Sequence, residues 1–328
     1  MSQLPLYVGL DVGGTNMKAG VVDDAGKPLS SISLETEASK GQEHGLERMC
    51  ESIRQAAAAA KVSMSQIAAI GVATPGTMDI HRGIILDPPN LKPWQNVPVR
   101  DHIGQVFGKL TAFQNDANAA AFGEFWVGAG REARSMVLFT LGTGIGGGII
   151  LDDHVLEGAH SHGGEVGHMR IESKNGRLCG CGQRGCFEAY GSATSVVKRT
   201  QEALDADGGK SALHQILKAG KELTARNIFD AADKGDELAQ HIVDETAFYL
   251  AIGATNLMHI VNPEMVVWAG GMIAAGEKFL NKVRDYVKQL AFPVPADNTK
   301  LAYAQLGGDA GFIGAAACAR QLVKHARD

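Results

Sequence analysis

Two stretches far apart in the chain share one pattern. LYVGLDVGGTNMKAGVV, turning near residue 13, and SMVLFTLGTGIGGGIILDD, turning near residue 144, are each an apolar run, a glycine turn and a second apolar run. A strand pair closed by glycines that recurs in both halves, among alternating helix and strand signals, fits two related α/β lobes facing one cleft. The length agrees, because 328 residues are too many for one compact core of ordinary size. No short tandem repeat accompanies the pattern.

Between the turns, PLSSISLET reads as a third strand, and a helix runs from about Gln42 to Lys61, ending in five alanines. QIAAIGVATPG is a strand stopped by Pro75-Gly76, and the proline-rich segment 86–99 cannot be helical. LTAFQND ends a strand and ANAAAFGEFWVGA is a helix, for which Asp116 is a natural N-cap. The chain turns helical through about 193–260, EMVVWAGGMI is a buried strand ended by glycines, and GDAGFIGAAACARQLVKHA closes as a helix capped by Asp309.

Composition removes several function classes. Hydrophobic content of 45% with 20% charged residues describes a globular chain, and a net charge of −5 argues against a nucleic-acid footprint. The 41 glycines are aperiodic, which excludes collagen. The start, MSQLPLYVGLDVGG, lacks a basic signal-peptide region, and the most apolar later stretch, 247–261, is broken by Thr255, Asn256 and His259. A cytoplasmic protein is expected, and with it thiols that stay out of disulfides.

That bears on CGCGQRGCFE, which crowds Cys179, Cys181 and Cys186 into eight positions while the rest of the chain has two cysteines. Three soft ligands need a fourth for a closed tetrahedral zinc site, and His168 lies eleven residues upstream of Cys179. Such a site is structural, since no coordination position stays open. Buried free thiols and a redox pair are the alternatives, the latter without a C-x-x-C motif.

In the first turn, Gly13 and Gly14 expose backbone N–H groups, and Thr15, Asn16 and Lys18 add donors and a charge, an arrangement that cradles phosphate. A plain hairpin is the alternative. In the second, Gly142, Thr143 and Gly144 begin a G-x-G-x-x-G pattern, but a strand follows where a dinucleotide site needs a helix. A second phosphate hairpin remains, and no P-loop motif is present. Gly270-Gly271 after the strand MVVWA lets the chain pass close to a flat ring, or simply ends the strand.

Together LDVGGTNMKAGVVD, FQNDANAAAFGEF, LGTGIGGGII, GGEVGHM, CGCGQRGCFEAYGS and WAGGMI resemble, in order, the motifs of the ROK family (repressor, open reading frame, kinase), over nearly the whole chain. The resemblance implies an α/β, two-lobed, actin-like ATPase (ribonuclease H-like) fold with a zinc-binding loop. It divides the chain into 1–115 plus a returning helix 309–328, and 116–308. It implies ATP-dependent phosphorylation of the 6-hydroxyl of a hexose, with glucose first and N-acetylmannosamine, N-acetylglucosamine, fructose or allose as alternatives. ATP with Mg²⁺ and a structural Zn²⁺ are the implied cofactors, and a homodimer or homotetramer the implied assembly.

Residue by residue, Asp116 matches the catalytic base and Asn115 its partner. Asp11 matches a residue near Mg²⁺. Gly76, Asn90, Asn115, Glu165, His168 and Glu188 match sugar-contacting positions, with one imidazole nitrogen of His168 on zinc and the other on a sugar hydroxyl. If GGEVGHM is helical, Glu165 and His168 share a face. The family also includes sugar-responsive repressors with an N-terminal helix-turn-helix. A first strand starting near residue 6 leaves no room for one here. HSHGG reads as a mobile polar loop, the three tryptophans as packing, and Cys50 and Cys318 as helix-face thiols.

Overall fold

The computed structural model describes residues 4–206 and 209–326. By contacts it divides into two units, residues 1–134 with 148–164 and 304–328, and residues 135–147 with 165–303.

The first unit is built on a five-stranded sheet. In chain order come β1 (Leu6–Val12), β2 (Asn16–Asp23), β3 (Ile32–Glu35), α1 (Gln42–Ala59), β4 (Ile67–Thr74), a small hairpin of β5 (Met78–Asp79) and β6 (Ile84–Ile85), α2 (Val99–Phe107), β7 (Leu110–Asn115) and α3 (Asp116–Val127). The sheet order is β3-β2-β1-β4-β7. β2 is antiparallel to β1, whereas β4 and β7 continue parallel. α1 buries Leu46, Met49, Cys50, Ile53, Ala56 and Ala57, spaced by three and four, against this sheet. Ala56 and Ala57 of the alanine run thus belong to the packed face, while Ala58 and Ala59 are exposed.

A second five-stranded sheet follows the same plan. In chain order come β8 (Ser135–Leu141), β9 (Ile145–Leu151), β10 (His154–Val155), α4 (Glu188–Gly191), α5 (Ala193–Ala206), α6 (His214–Lys218), α7 (Ala225–Asp233), α8 (Glu237–Val261), β11 (Met265–Ala269), α9 (Gly276–Leu290), α10 (Pro293–Asn298) and β12 (Lys300–Tyr303). Its order, β10-β9-β8-β11-β12, repeats the first sheet's arrangement of a central strand, its turn partner, an edge and two parallel additions. The recurrence in the sequence is thus a recurrence of topology. Among the described residues, the expected helical stretch 193–260 is four helices, with breaks at 209–213, 219–224 and 234–236.

The last helix, α11 (Ala310–His325), lies on β1 and β4 and crosses α3. A Cβ on Gly9 would stand 1.8 Å from the Phe312 carbonyl, one on Gly71 1.8 Å from that of Ala315, and one on Gly314 1.7 Å from that of Ala119. Only residues without a side chain let these backbones touch. This contact explains why the contact-based division differs from the one at residue 115: α3 stays with the first unit because α11 packs on it. Asp309 holds the N-cap position of α11 but makes no capping hydrogen bond; its carboxylate instead pairs with Lys18, 2.5 Å away.

The proline-rich segment contains one 3₁₀ turn, Pro89–Leu91, which tolerates proline at its start. Trp94 and Trp268 are buried, and Trp268 stacks on Phe139 at 4.5 Å, so both act in packing. Cys50 is buried on α1 and Cys318 is partly exposed on α11. In the loop before Gly163, Ser161 Oγ accepts from Ile80 N at 2.9 Å, a tie the expectation of a mobile loop did not contain.

Candidate functional site

The first unit gathers its candidates at the carboxyl ends of β1, β4 and β7, where parallel strands present ligand sites. Asp11 lies near the end of β1, and Asn115 ends β7. Asn115, not Asp116, caps α3: its side chain accepts from Ala117 N at 2.9 Å and Asn118 N at 3.2 Å. The reading of Asp116 as the cap is therefore corrected. Residue 115 has the extended backbone that a cap requires (φ −68°, ψ 145°), and Asp116 is already the first helical residue. Its Oδ1 also accepts from Ala117 N, at 2.8 Å.

Gln114 steadies this corner. Its Oε1 accepts from Asn115 N (2.8 Å) and Asn118 Nδ2 (3.2 Å), and its Nε2 donates to Glu157 (2.8 Å). Asp11 feels Asp116. Protein surroundings on most sides and then the neighbouring Asp116 carboxylate raise its pKa from 3.8 to about 7, against the pull of Lys18. Two carboxylates that repel one another in this way can share a divalent cation or a proton.

The turn Gly13–Asn16 has the carbonyls of Gly13, Thr15 and Asn16 occupied. Gly13 N donates to Asn16 O (2.8 Å), Thr36 Oγ1 donates to Gly13 O (2.7 Å), and Thr36 N donates to Thr15 O (2.8 Å). No intramolecular partner is recorded among the described residues for Gly14 N or Thr15 N, as an anion-binding turn requires. Thr36 escaped the sequence reading. It ends an unremarkable strand, and its fully buried hydroxyl meets the turn only through the pairing of β3 with β2. Lys18, expected to add charge here, is engaged by Asp309 and by the Gly308 carbonyl at 3.0 Å. Strand pairing sets it opposite Asp11, and from there its ammonium meets the start of α11.

Gly76 has φ +89° and lies where a Cβ would stand 2.7 Å from Pro88 Cα. Asn90 lies in the 3₁₀ turn, its carbonyl 2.9 Å from where a Cβ on Gly14 would be. Gly76, Asn90 and the first glycine turn thus form one loop cluster within the first unit.

In the second unit, Glu165 precedes a 3₁₀ turn, Val166–His168, in place of the conditional helix, and accepts from His168 N through its carbonyl at 3.0 Å. The ligand atoms of His168, Cys179, Cys181 and Cys186 all lie within 4.8 Å of one another. Cys181 Sγ and Cys186 Sγ are 3.8 Å apart, as are Cys179 Sγ and His168 Nδ1. A tetrahedron with Zn–S bonds of about 2.3 Å has edges of about 3.8 Å, and a disulfide needs about 2.05 Å. The residues fit structural zinc, with Nδ1 of His168 turned to the metal position. Metal analysis of protein purified without chelator is expected to give one zinc per chain; a metal-free protein of unchanged fold would count against the site.

Glu188 begins α4, two residues after Cys186. Its Oε2 accepts from Ile145 N at 3.0 Å and its Oε1 lies 3.3 Å from Cys179 Sγ. Gly142, Thr143 and Gly144 form the turn from β8 to β9, closed by Gly142 N donating to Gly144 O at 3.0 Å. Gly270, with φ +92°, comes up beside Leu141, and Gly271 opens the 3₁₀ turn that follows.

A sheet plan used twice, each time with a glycine turn after its first strand, belongs to the actin-like ATPase class. The chain is a member of the ROK family, whose model matches residues 7–322. Glucokinase of Thermotoga maritima is 34% identical over 316 residues, 96% of this chain and 98% of its own length. The crystal structure of ROK hexokinase from Thermus thermophilus matches with a TM-score of 0.84 at 32% identity, covering 98% of this chain and 99% of that one. A ROK family glucokinase from Streptomyces griseus, in complex with glucose and AMPPNP, matches with a TM-score of 0.78 at 33% identity over 96% of this chain and 99% of its own. Xylose repressor of Caldicellulosiruptor bescii is 29% identical over 94% of this chain and 76% of its own length. No helix among the described residues is long and apolar enough to cross a membrane.

Proposed function

We propose that this chain is an ATP-dependent hexose kinase that converts glucose to glucose 6-phosphate. The observation that carries the reading is the carboxylate corner. Asn115 takes the capping duty, so Asp116 stands beside Asp11 at the strand ends as a carboxylate that α3 does not need for its cap.

In this reading Asp116 accepts the proton of the sugar 6-hydroxyl while that oxygen bonds to the γ-phosphorus and ADP departs. Asn90, Asn115, Glu165, His168, Glu188 and the Gly76 backbone are the candidates to orient the hexose. His168 would hold zinc through Nδ1 and offer its other ring nitrogen to a hydroxyl. Gly13–Asn16 and Gly142–Gly144 offer backbone donors to the triphosphate, with Gly270 and Gly271 beside the nucleoside. Asp11 would hold Mg²⁺ through water; the ion supplies charge neutralisation at the phosphates. Lys18 can contribute there only by leaving Asp309.

The test is a panel of glucose, fructose, allose, N-acetylglucosamine and N-acetylmannosamine with an ATP-consumption readout. Glucose is expected to give the highest kcat/KM and a 6-phosphate product. Preference for another hexose overturns the substrate, and no turnover with any sugar overturns the kinase.

Thr36 adds a sharper expectation. Thr36→Val removes one donor and keeps the shape, so the KM for MgATP should rise about five- to tenfold, one hydrogen bond's worth of about 1 kcal/mol. The KM for the sugar should hold and Thr36→Ser should restore the nucleotide KM, all read in steady-state kinetics.

A further inference from the structure

The turn Gly142–Gly144 is gripped by the segments that flank the zinc ligands. The Gly142 carbonyl accepts from Ala193 N at 2.9 Å, and Ile145 N donates to Glu188 Oε2 at 3.0 Å. A Cβ on Gly144 would stand 2.2 Å from that same oxygen, and one on Gly167 1.9 Å from the Ile145 carbonyl. Gly167 immediately precedes His168, Glu188 follows Cys186 by two residues, and Ala193 follows the short α4 that Glu188 begins. The other oxygen of Glu188 lies 3.3 Å from Cys179 Sγ, so one carboxylate touches both a zinc ligand and the turn.

Backbone hydrogen bonds such as Cys179 N to Gln183 O at 2.8 Å and Gly185 N to Arg177 O at 2.9 Å shape the cysteine loop. Its apolar support is Cys179, Cys186, Ala189 and Tyr190, with Ile171 and Tyr249 packed against them. Residues 180–184 are exposed. A loop with so small an apolar core gains further order from its metal. When the four ligands are not drawn together, Gly167 and Glu188 are less firmly placed, and two of the turn's contacts loosen with them.

We propose that the zinc loop sets the conformation of the second phosphate turn, with Glu188 as the positioning residue that joins them, so that zinc occupancy and nucleotide affinity are coupled within this unit. The proposal rests on the reading of Gly142–Gly144 as a phosphate turn. It gives the metal a role on the nucleotide side, separate from His168 and the sugar.

Coupling of two binding events is reciprocal, so nucleotide must tighten zinc by the factor by which zinc tightens nucleotide. Zinc affinity of the full-length protein is measured by competition with a chromophoric chelator, with and without saturating Mg–AMPPNP and with no sugar present. Nucleotide is expected to raise zinc affinity about fivefold or more. Glu188→Ala should bring that ratio close to one, and Glu188→Gln, whose amide oxygen can still accept from Ile145 N, should restore most of it. Calorimetry of Mg–AMPPNP on the zinc-loaded wild type separates the failures. If nucleotide binds but the ratio in wild type is one, or Glu188→Ala leaves it unchanged, the coupling through Glu188 is overturned. If nucleotide does not bind at all, the kinase reading falls, and the coupling with it.

Discussion

Asp116→Asn is expected to lower kcat by about 10²–10⁴-fold, the usual worth of a positioned general base, while glucose and Mg–AMPPNP affinities stay within a few-fold of wild type. The structure makes this substitution unusually clean. The cap of α3 belongs to Asn115, and the bond that Asp116 Oδ1 accepts from Ala117 N can be kept by an amide oxygen. Removing a negative charge from beside Asp11 relieves repulsion, so the variant should be no less stable than wild type. Isothermal calorimetry for the two ligands and steady-state turnover check it. Lost sugar affinity with normal turnover would reassign Asp116 from chemistry to binding.

Asp11→Asn is expected to stabilise the fold and disable it. The Asp11 pKa rises from 3.8 to about 7 in the folded chain, through burial first and Asp116 second. A carboxyl raised in the folded state costs stability when ionised. That cost is full above pH 7, shrinks as pH falls through the folded value, and is gone below the unfolded one. The amide removes it, so at pH 8 without Mg²⁺ the variant should gain about 1–3 kcal/mol, a figure reduced because Asp11 keeps some solvent access. At pH 4 the two proteins should melt nearly together. Turnover should fall with the lost Mg²⁺ anchor, and Mg²⁺ should raise the melting temperature of wild type but not of the variant. Thermal denaturation at the two pH values decides; a variant less stable at pH 8 would mean that Asp11 is held by favourable contacts instead.

Local pattern carried much of this molecule. Apolar runs around glycine turns mark the paired strands of both sheets, and Cys179, Cys181, Cys186 and His168 could be grouped because soft ligands are rare and lie close in the chain. The polar corner was harder to read. Asn115 and Asp116 are adjacent and both can cap a helix, and only the backbone angles decide which one does. Lys18 reads as a phosphate ligand until its partner is found 291 residues away at Asp309.

The sequence by itself determined the α/β class, the duplication, the histidine–cysteine cluster and the glycine turns, because each is written in residues near one another along the chain. Only the tertiary structure decided that α3 stays with the first unit, that Thr36 holds the Gly13 and Thr15 carbonyls of one glycine turn, and that Glu188 joins the cysteine loop to the other. Those outcomes depend on which distant backbones can approach, and approach is settled by packing, at Gly314 against Ala119 and at Gly167 against Ile145.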